Sequence, residues 1–437
     1  MGHDRKRIAV VRASPRNSAY RGLVPLFAPV LSSAWRHQGH EVLFLDRAVI
    51  EEEAFWSTLA DYSPDVVAVS AMIDSFVDLL QVVARSEEVL PTARIVAGGP
   101  HVTELGAEVG ELLGKTVAVC LGDGCSYDPI QATSVSLGLP QPLTPDWTDI
   151  QILDYHPVIP VQTAIGCANR CGYCSETNLF GTGIKSRAVD DVVQYLARCL
   201  SELRVHRFRF VDSTFSAPPS RFDRLCRALV ETQLPVVWGA YVRWEQLSPE
   251  RLELAWRAGC RSVFIGVETL DPSLASSLGR SSDAARLRGL VRTARGLGIA
   301  VHCSLIFGLP RDSPEGVRRT SEEILRVEPT TVKANPFKLG PASEYGRHPE
   351  AYGITILDPK WRLKQHRYSS DIEFYDDFRV AGFSTDEVFE LVEDFEGLVT
   401  GRSRLLGHEP SVAASADWSL FEANNERSFS PVRGSGS

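Results

Sequence analysis

The sequence predicts an α/β protein built as two consecutive domains with parallel sheets, followed by a small C-terminal extension. Three observations carry that reading. From Arg7 to about Ala132, short β-prone runs alternate with helical stretches, and a second alternating series runs from Val161 to about Lys338. Between them, residues 138–160 are rich in proline and aspartate and show no period, which marks a linker. Strands that alternate with helices favour parallel sheets covered on both faces. The chain accordingly divides into 1–137, a linker at 138–160, 161–340, a loop-rich region at 341–424 and a tail at 425–437. The tail is polar and Gly/Ser-rich, a composition that does not build a core and is expected to be disordered.

In the first series the candidate strands are Ile8–Arg12, Glu41–Leu45, Val66–Ala71, Arg94–Ala97 and Val117–Leu121. Amphipathic helices are expected over Leu23–His37 and Phe76–Val89. Ligands of such sheets bind beyond the carboxyl ends of the strands. The turns there are Ser70-Ala71, Gly98-Gly99-Pro100-His101 and Gly122-Asp123-Gly124. Small residues let a backbone approach a bulky ligand closely, although glycines at strand ends also serve simply as turn formers.

The second series opens on Cys167-Ala168-Asn169-Arg170-Cys171-Gly172-Tyr173-Cys174, directly after the β-prone run Val161–Ile165. Three thiols in one short loop can turn toward a single metal centre, and thiolates are the ligands of iron–sulfur clusters. A structural zinc site would show a second Cys-x-x-Cys or Cys/His pair, and none stands nearby. An odd number of cysteines in a short loop also argues against a disulfide. A cubane of four irons held by three cysteines leaves one iron open to another molecule.

The spacing Cys167-x-x-x-Cys171-x-Tyr173-Cys174, with its aromatic before the last cysteine, resembles the signature of the radical S-adenosylmethionine (radical SAM) superfamily. Pro64–Ala71 and Ile95–His101, placed directly before that loop, resemble the cobalamin-binding domain that precedes many radical SAM domains. The resemblance implies a Rossmann-like, flavodoxin-like cobalamin domain followed by a partial (β/α)6 barrel. Ser70, Gly98, Gly99, Pro100, His101, Gly122 and Gly124 would lie against cobalamin; His101 would touch the corrin or its tail, or cap a helix. Two departures stand out. The Asp-x-His-x-x-Gly motif that supplies an axial histidine to cobalt is absent, since Arg12-Ala13-Ser14-Pro15-Arg16-Asn17 follows the first strand. Leu121-Gly-Asp-Gly-Cys125 also replaces the more usual Gly-Glu-Gly-Glu.

Further strands are expected at Arg207–Val211, Val236–Ala240, Ser262–Val267, Ala300–Ile306 and Thr331–Ala334. Helices are expected at Val189–Leu203, Ser220–Thr232, Pro249–Ala258, Asp283–Leu297, Pro314–Val327 and, beyond the barrel, Thr385–Leu398. By resemblance, Cys167, Cys171 and Cys174 hold a 4Fe-4S cluster. Tyr173, Asp212, Arg243, Glu268 and Gly308 then contact S-adenosylmethionine, Arg243 suiting its carboxylate because a guanidinium binds carboxylates bidentately. Cys199, Cys226, Cys260 and Cys303 fall within helix or strand patterns and read as core residues; Trp147 and Tyr155 would face a shared cavity or simply pack.

The composition is that of a soluble globular protein, with 44% hydrophobic and 23% charged residues among 437. A net charge of −9 argues against nucleic acid as a partner. No apolar run reaches the roughly 18 residues that span a bilayer, and the charged start lacks the apolar core of a signal peptide. A reducing cytoplasm is the expected location. The resemblance implies methyl transfer from S-adenosylmethionine, by way of methylcobalamin, to an unactivated carbon of a natural product or peptide. An electron donor such as flavodoxin or ferredoxin would be needed. Radical cyclisation or ring rearrangement without methyl transfer, and a non-catalytic corrinoid-binding protein, are the alternatives.

Overall fold

The computed structural model describes residues 5–14, 24–72, 75–114, 116–122, 124–125, 145–148, 150, 158–363 and 377–405. Most of the predicted linker, including Tyr155, and the whole tail at 425–437 lie outside the described residues.

The first sheet contains β1 (Arg7–Arg12), β2 (Glu41–Asp46), β3 (Val66–Ser70), β4 (Arg94–Gly98) and β5 (Ala118–Val119), in the order β2-β1-β3-β4-β5. All its pairs are parallel. This is the flavodoxin-like doubly wound order, whose switch point lies between β1 and β3. Ile8–Val11 and Val66–Val69 are buried throughout, as central parallel strands covered on both faces must be. One core cluster joins Val11, Val67, Val69 and Ala97 to Phe76, Leu79, Val82 and Val83 of the helix Phe76–Val89. The helix Glu52–Tyr62 turns Phe55, Trp56 and Leu59 into the same core. The expected strand at 117–121 shortens to two residues at the sheet edge.

The second sheet is made of β6 (Ile159–Val161), β9 (Arg207–Phe210), β10 (Val237–Val242), β11 (Cys260–Glu268), β12 (Ala300–Phe307) and β13 (Thr331–Pro336), in the order β13-β12-β11-β10-β9-β6. Helices between β10 and β13 begin on matched signals. Ser248, Asp271 and Ser313 each accept a hydrogen bond from a backbone N–H three residues on and are followed by proline.

The expected strand Val161–Ile165 is broken in two. β6 ends at Val161, and β7 (Ala164–Ile165) pairs antiparallel with β8 (Lys185–Ser186). The cause is Asp212, which takes the backbone N–H groups of Thr163 and Ala164 that a continuous strand would give to its neighbour. The helix expected at Val189–Leu203 ends in a single wide turn at Cys199–Leu203. The last helix extends over Thr385–Leu405, and β14 (Ile354–Ile356) pairs antiparallel with β15 (Phe378–Val380).

Two compact units emerge. One draws on 1–215, 308–311 and 337–387; the other on 216–307, 312–336 and 388–437. The first holds the five-stranded sheet and the cysteine loop, and the second holds β10 to β13.

Candidate active site

The cysteine loop leaves β7 through Gly166, whose φ of +88° and whose contact with Gly183 admit no side chain: an added Cβ would stand 2.2 Å from the Gly183 carbonyl oxygen. Asp212 anchors this entry, since its Oδ2 also accepts from the Thr163 hydroxyl at 2.5 Å. With its carboxylate so engaged and only 2% exposed, Asp212 positions the loop entry. Cys167 is buried, its Sγ accepting from Asn169 Nδ2 at 3.3 Å and lying 3.6 Å from Thr214 Oγ1. Cys171 and Cys174 close a turn, the Cys174 N–H donating to the Cys171 carbonyl at 3.0 Å, with Tyr173 half-buried between them. Tyr345 packs its ring against Gly172 and donates its N–H to the Gly172 carbonyl at 3.0 Å. Nothing in the sequence near Tyr345 announces that role.

Burial pushes the Cys174 thiol up to about 12; a hydrogen bond from the Glu176 backbone offsets part, while Glu176, Cys171 and Cys167 add to the rise. Glu176 is itself raised by burial, partly offset by the Ser213 hydroxyl that donates to it. A buried thiol of this kind ionises when positive metal charge faces it. All nine cysteines are free. Among the described residues no three His, Cys, Asp or Glu side chains converge on a single ion. A cubane does not ask that of them, because each thiolate meets a different iron.

At the carboxyl end of the first sheet, Ser70 and Gly98 stand in register on β3 and β4, and Ala71 N–H donates to the Gly98 carbonyl at 3.2 Å. Gly99 has φ +104°, and a Cβ there would stand 2.6 Å from the Ala71 carbonyl oxygen. The first reason for this glycine is thus close packing of two turns. Gly122 donates its N–H to Thr103 Oγ1 at 2.9 Å, and Gly124 lies against Leu31. The turns at this end present backbone and small side chains, and Met72 beside them is 56% exposed. Pro100 opens the short helix Pro100–Leu105, and His101 is buried, its ring edge-on to Phe76. Its Nδ1 lies 3.5 Å from Glu104 Oε2. Burial of Glu104 is outweighed by the His101 ring beside it and by hydrogen bonds from Ser175 and Ala342, which together hold its carboxyl below the ordinary range.

In the second unit, Glu268 ends β11 with φ +64°, a left-handed conformation that a buried non-glycine residue adopts only under constraint. Its carboxylate folds back over Gly266, where a Cβ would stand 2.3 Å from Glu268 Oε1. Arg280 Nη2 donates to that oxygen at 3.1 Å, and Arg280 Nη1 lies 3.8 Å from Glu245 Oε2. Glu245 Oε2 in turn faces Arg243 Nε at 3.3 Å, while Arg243 Nη2 donates to the Gly279 carbonyl at 2.5 Å. The structure thus links Arg243 to Glu268 through Glu245 and Arg280, two residues the sequence reading missed. Their charge, next to strand ends, was the available signal. Gly308, with φ +77°, follows β12 in the chain.

Comparison with known families decides what these sites belong to. The B12 binding domain matches residues 18–127, and the radical SAM superfamily matches residues 161–324. The chain carries a B12 binding domain followed by a radical SAM domain. Its cofactors are cobalamin, a 4Fe-4S cluster and S-adenosylmethionine. An uncharacterized methyltransferase of Pyrococcus horikoshii is 24% identical over 70% of this chain and 75% of its own length. Bacteriochlorophyllide d C-12(1)-methyltransferase of Chlorobaculum tepidum is 29% identical over 44% of this chain, which spans 43% of that protein. The solved radical SAM methyltransferase TsrM from Kitasatospora setae, with cobalamin and a [4Fe-4S] cluster bound, shares the fold at a TM-score of 0.67. It is 19% identical, with 81% of each chain covered. Methyltransferases thus recur among the relatives of this chain, alongside the anaerobic magnesium-protoporphyrin IX monomethyl ester cyclase of Cereibacter sphaeroides, 22% identical over 68% of this chain and 55% of its own length. Among the described residues no helix is long and apolar enough to cross a membrane.

Proposed function

We propose that this radical SAM enzyme methylates an unactivated carbon of a small natural-product intermediate or a modified peptide. Cys167, Cys171 and Cys174 hold the cluster, the turns at Ser70, Gly98–His101, Gly122 and Gly124 hold cobalamin, and Arg243 and Glu268 with Tyr173 and Gly308 hold S-adenosylmethionine. The observation that carries the reading is the three-thiol loop, half-buried and clasped, in a chain that also matches the B12 binding domain. When bound, the cluster and cobalamin supply electron transfer to S-adenosylmethionine and carriage of its methyl group.

The chain's own residues do the placing. Asp212 holds the strand end from which the loop departs, and Asn169 puts a polar hydrogen beside the Cys167 sulfur. Arg280 pairs with the Glu268 carboxylate and aims it, and Arg243 offers a planar guanidinium suited to a carboxylate. Precise placement matters because effective molarity falls steeply as reacting centres separate. A one-electron donor of the flavodoxin or ferredoxin kind and a reducing cytoplasm complete the proposal; nucleic acid has no part in it.

Anaerobic reconstitution with added cobalamin tests the reading. We expect a brown, corrinoid-containing protein that makes 5′-deoxyadenosine only with reductant and releases S-adenosylhomocysteine with methylated product. Cys171→Ala abolishes deoxyadenosine formation and leaves cobalamin bound. Cleavage retained in that variant refutes the cluster assignment.

A further inference from the structure

We propose that Glu104 is a positioning residue that locks the end of the cysteine loop to the turn after β4, making the two one mechanical element. Its geometry stands alone; its consequence for the cofactors rests on the assignment of cobalamin to that turn and of the cluster to the loop.

Glu104 lies on the helix Pro100–Leu105, directly after Gly98-Gly99, with a nearly buried side chain. Its Oε1 accepts from Ser175 Oγ at 2.5 Å and from the Ala342 N–H at 3.1 Å. Ser175 is the residue after Cys174, so the carboxylate holds the backbone that carries the third thiol. The clasp is doubled from the far side. Asn178 Nδ2 donates to the Ala342 carbonyl at 2.7 Å, and Tyr345 N–H donates to the Gly172 carbonyl at 3.0 Å. Gly340 leaves the carboxylate its room, since a Cβ there would stand 2.8 Å from Ser175 Oγ and 3.2 Å from Glu104 Oε1. Three distant segments therefore meet at one carboxylate inside a single compact unit. Hydrogen bonds to an ionised acceptor are stronger than neutral ones, and a buried donor left unsatisfied is costly. A ligand that orders the turn at His101 then also orders the loop at Ser175, and the linkage is reciprocal.

Hydrogen exchange on the full-length anaerobic protein, with hydroxocobalamin as the probe, tests this. Without any cofactor, Glu104→Ala speeds exchange of amides 171–180 about tenfold, while those of β1, β3 and β12 keep their rates. Glu104→Gln retains an oxygen for Ser175 and Ala342 and restores most of the protection. Hydroxocobalamin slows exchange at 171–180 in the wild type, and in Glu104→Ala it slows only the turns of the first sheet. Wild-type exchange at 171–180 in Glu104→Ala overturns the proposal, as does a Gln variant no better protected than the Ala variant. Should Glu104→Ala fail to fold, Ser175→Ala asks the same question from the other end, and unchanged exchange at 171–180 there overturns it equally. A wild type that does not bind hydroxocobalamin overturns the cofactor assignment, while the cofactor-free rates still decide the role of Glu104.

Discussion

The cysteine loop and the strand end at Glu268 solve one problem in opposite ways. Around the loop, buried carboxylates accept hydrogen bonds from neutral groups: Asp212 from Thr163 and Ala164, Glu104 from Ser175 and Ala342. Around Glu268, acids and guanidiniums alternate from Glu268 to Arg280 to Glu245 to Arg243. Neutral donors fix a backbone path without adding charge, which suits a loop whose sulfurs must meet a metal centre. An alternating chain of charges orients its end groups, which suits the proposed recognition of a zwitterionic ligand. The lesson is that the loop is built for shape and the strand end for charge.

The contrast breaks most readily at Arg280. Arg280→Ala removes the guanidinium from the buried Glu268 carboxylate and should cost about 3–5 kcal/mol, read as a fall in thermal unfolding temperature. Glu268→Gln introduced into that variant should recover part of the loss. No recovery would mean that charge is not what Arg280 supplies.

His302 tests the case of a half-buried titratable ring whose shift comes from burial and not from a neighbouring charge. Burial alone lowers it to about 4, and its Nδ1 faces Thr331 Oγ1 at 2.7 Å while its ring stacks on Phe264. Because the folded value lies below the unfolded one of about 6.5, the fold favours the neutral ring. The stability this gives is complete above pH about 6.5 and is lost as pH falls toward about 4, by roughly 3 kcal/mol. Denaturant titrations across that range should show the loss in the wild type and a flatter profile in His302→Gln. Equal slopes would remove His302 from the account.

The smallest effect sharpens the loop side of the comparison. Asp212→Asn keeps an acceptor for the two backbone N–H groups and forfeits the bond from the Thr163 hydroxyl, at a cost of about 1 kcal/mol. Chemical denaturation measures it. A loss as large as that of Arg280→Ala would mean that charge, and not shape, holds the loop entry.

Local pattern made much of this legible. The alternation of β and α runs gave both sheets, because a strand buried on both faces must be apolar throughout and a surface helix only on one stripe. Phe76–Val89 and Pro314–Val327 appear with the ends their patterns and caps dictate. The cysteine spacing was visible because three ligands on one short loop need no tertiary contact to be neighbours. The helix Glu52–Tyr62 escaped notice although Phe55, Trp56 and Leu59 share a face. The break after Val161 escaped because its cause, Asp212, lies 49 residues away from Thr163.

By itself the sequence determined the parallel α/β order, the helix starts and the gathering of three thiols, since these depend on periodicity, caps and short spacing. Only the tertiary structure decided that Asp212 anchors a strand end, that Tyr345 closes on Gly172, and that Arg280 and Glu245 join Glu268 to Arg243. Glu104 meets Ser175 across 71 residues and Ala342 across 238. No local pattern encodes such pairs, because each is selected by the one packing in which a buried carboxylate finds all its donors at once.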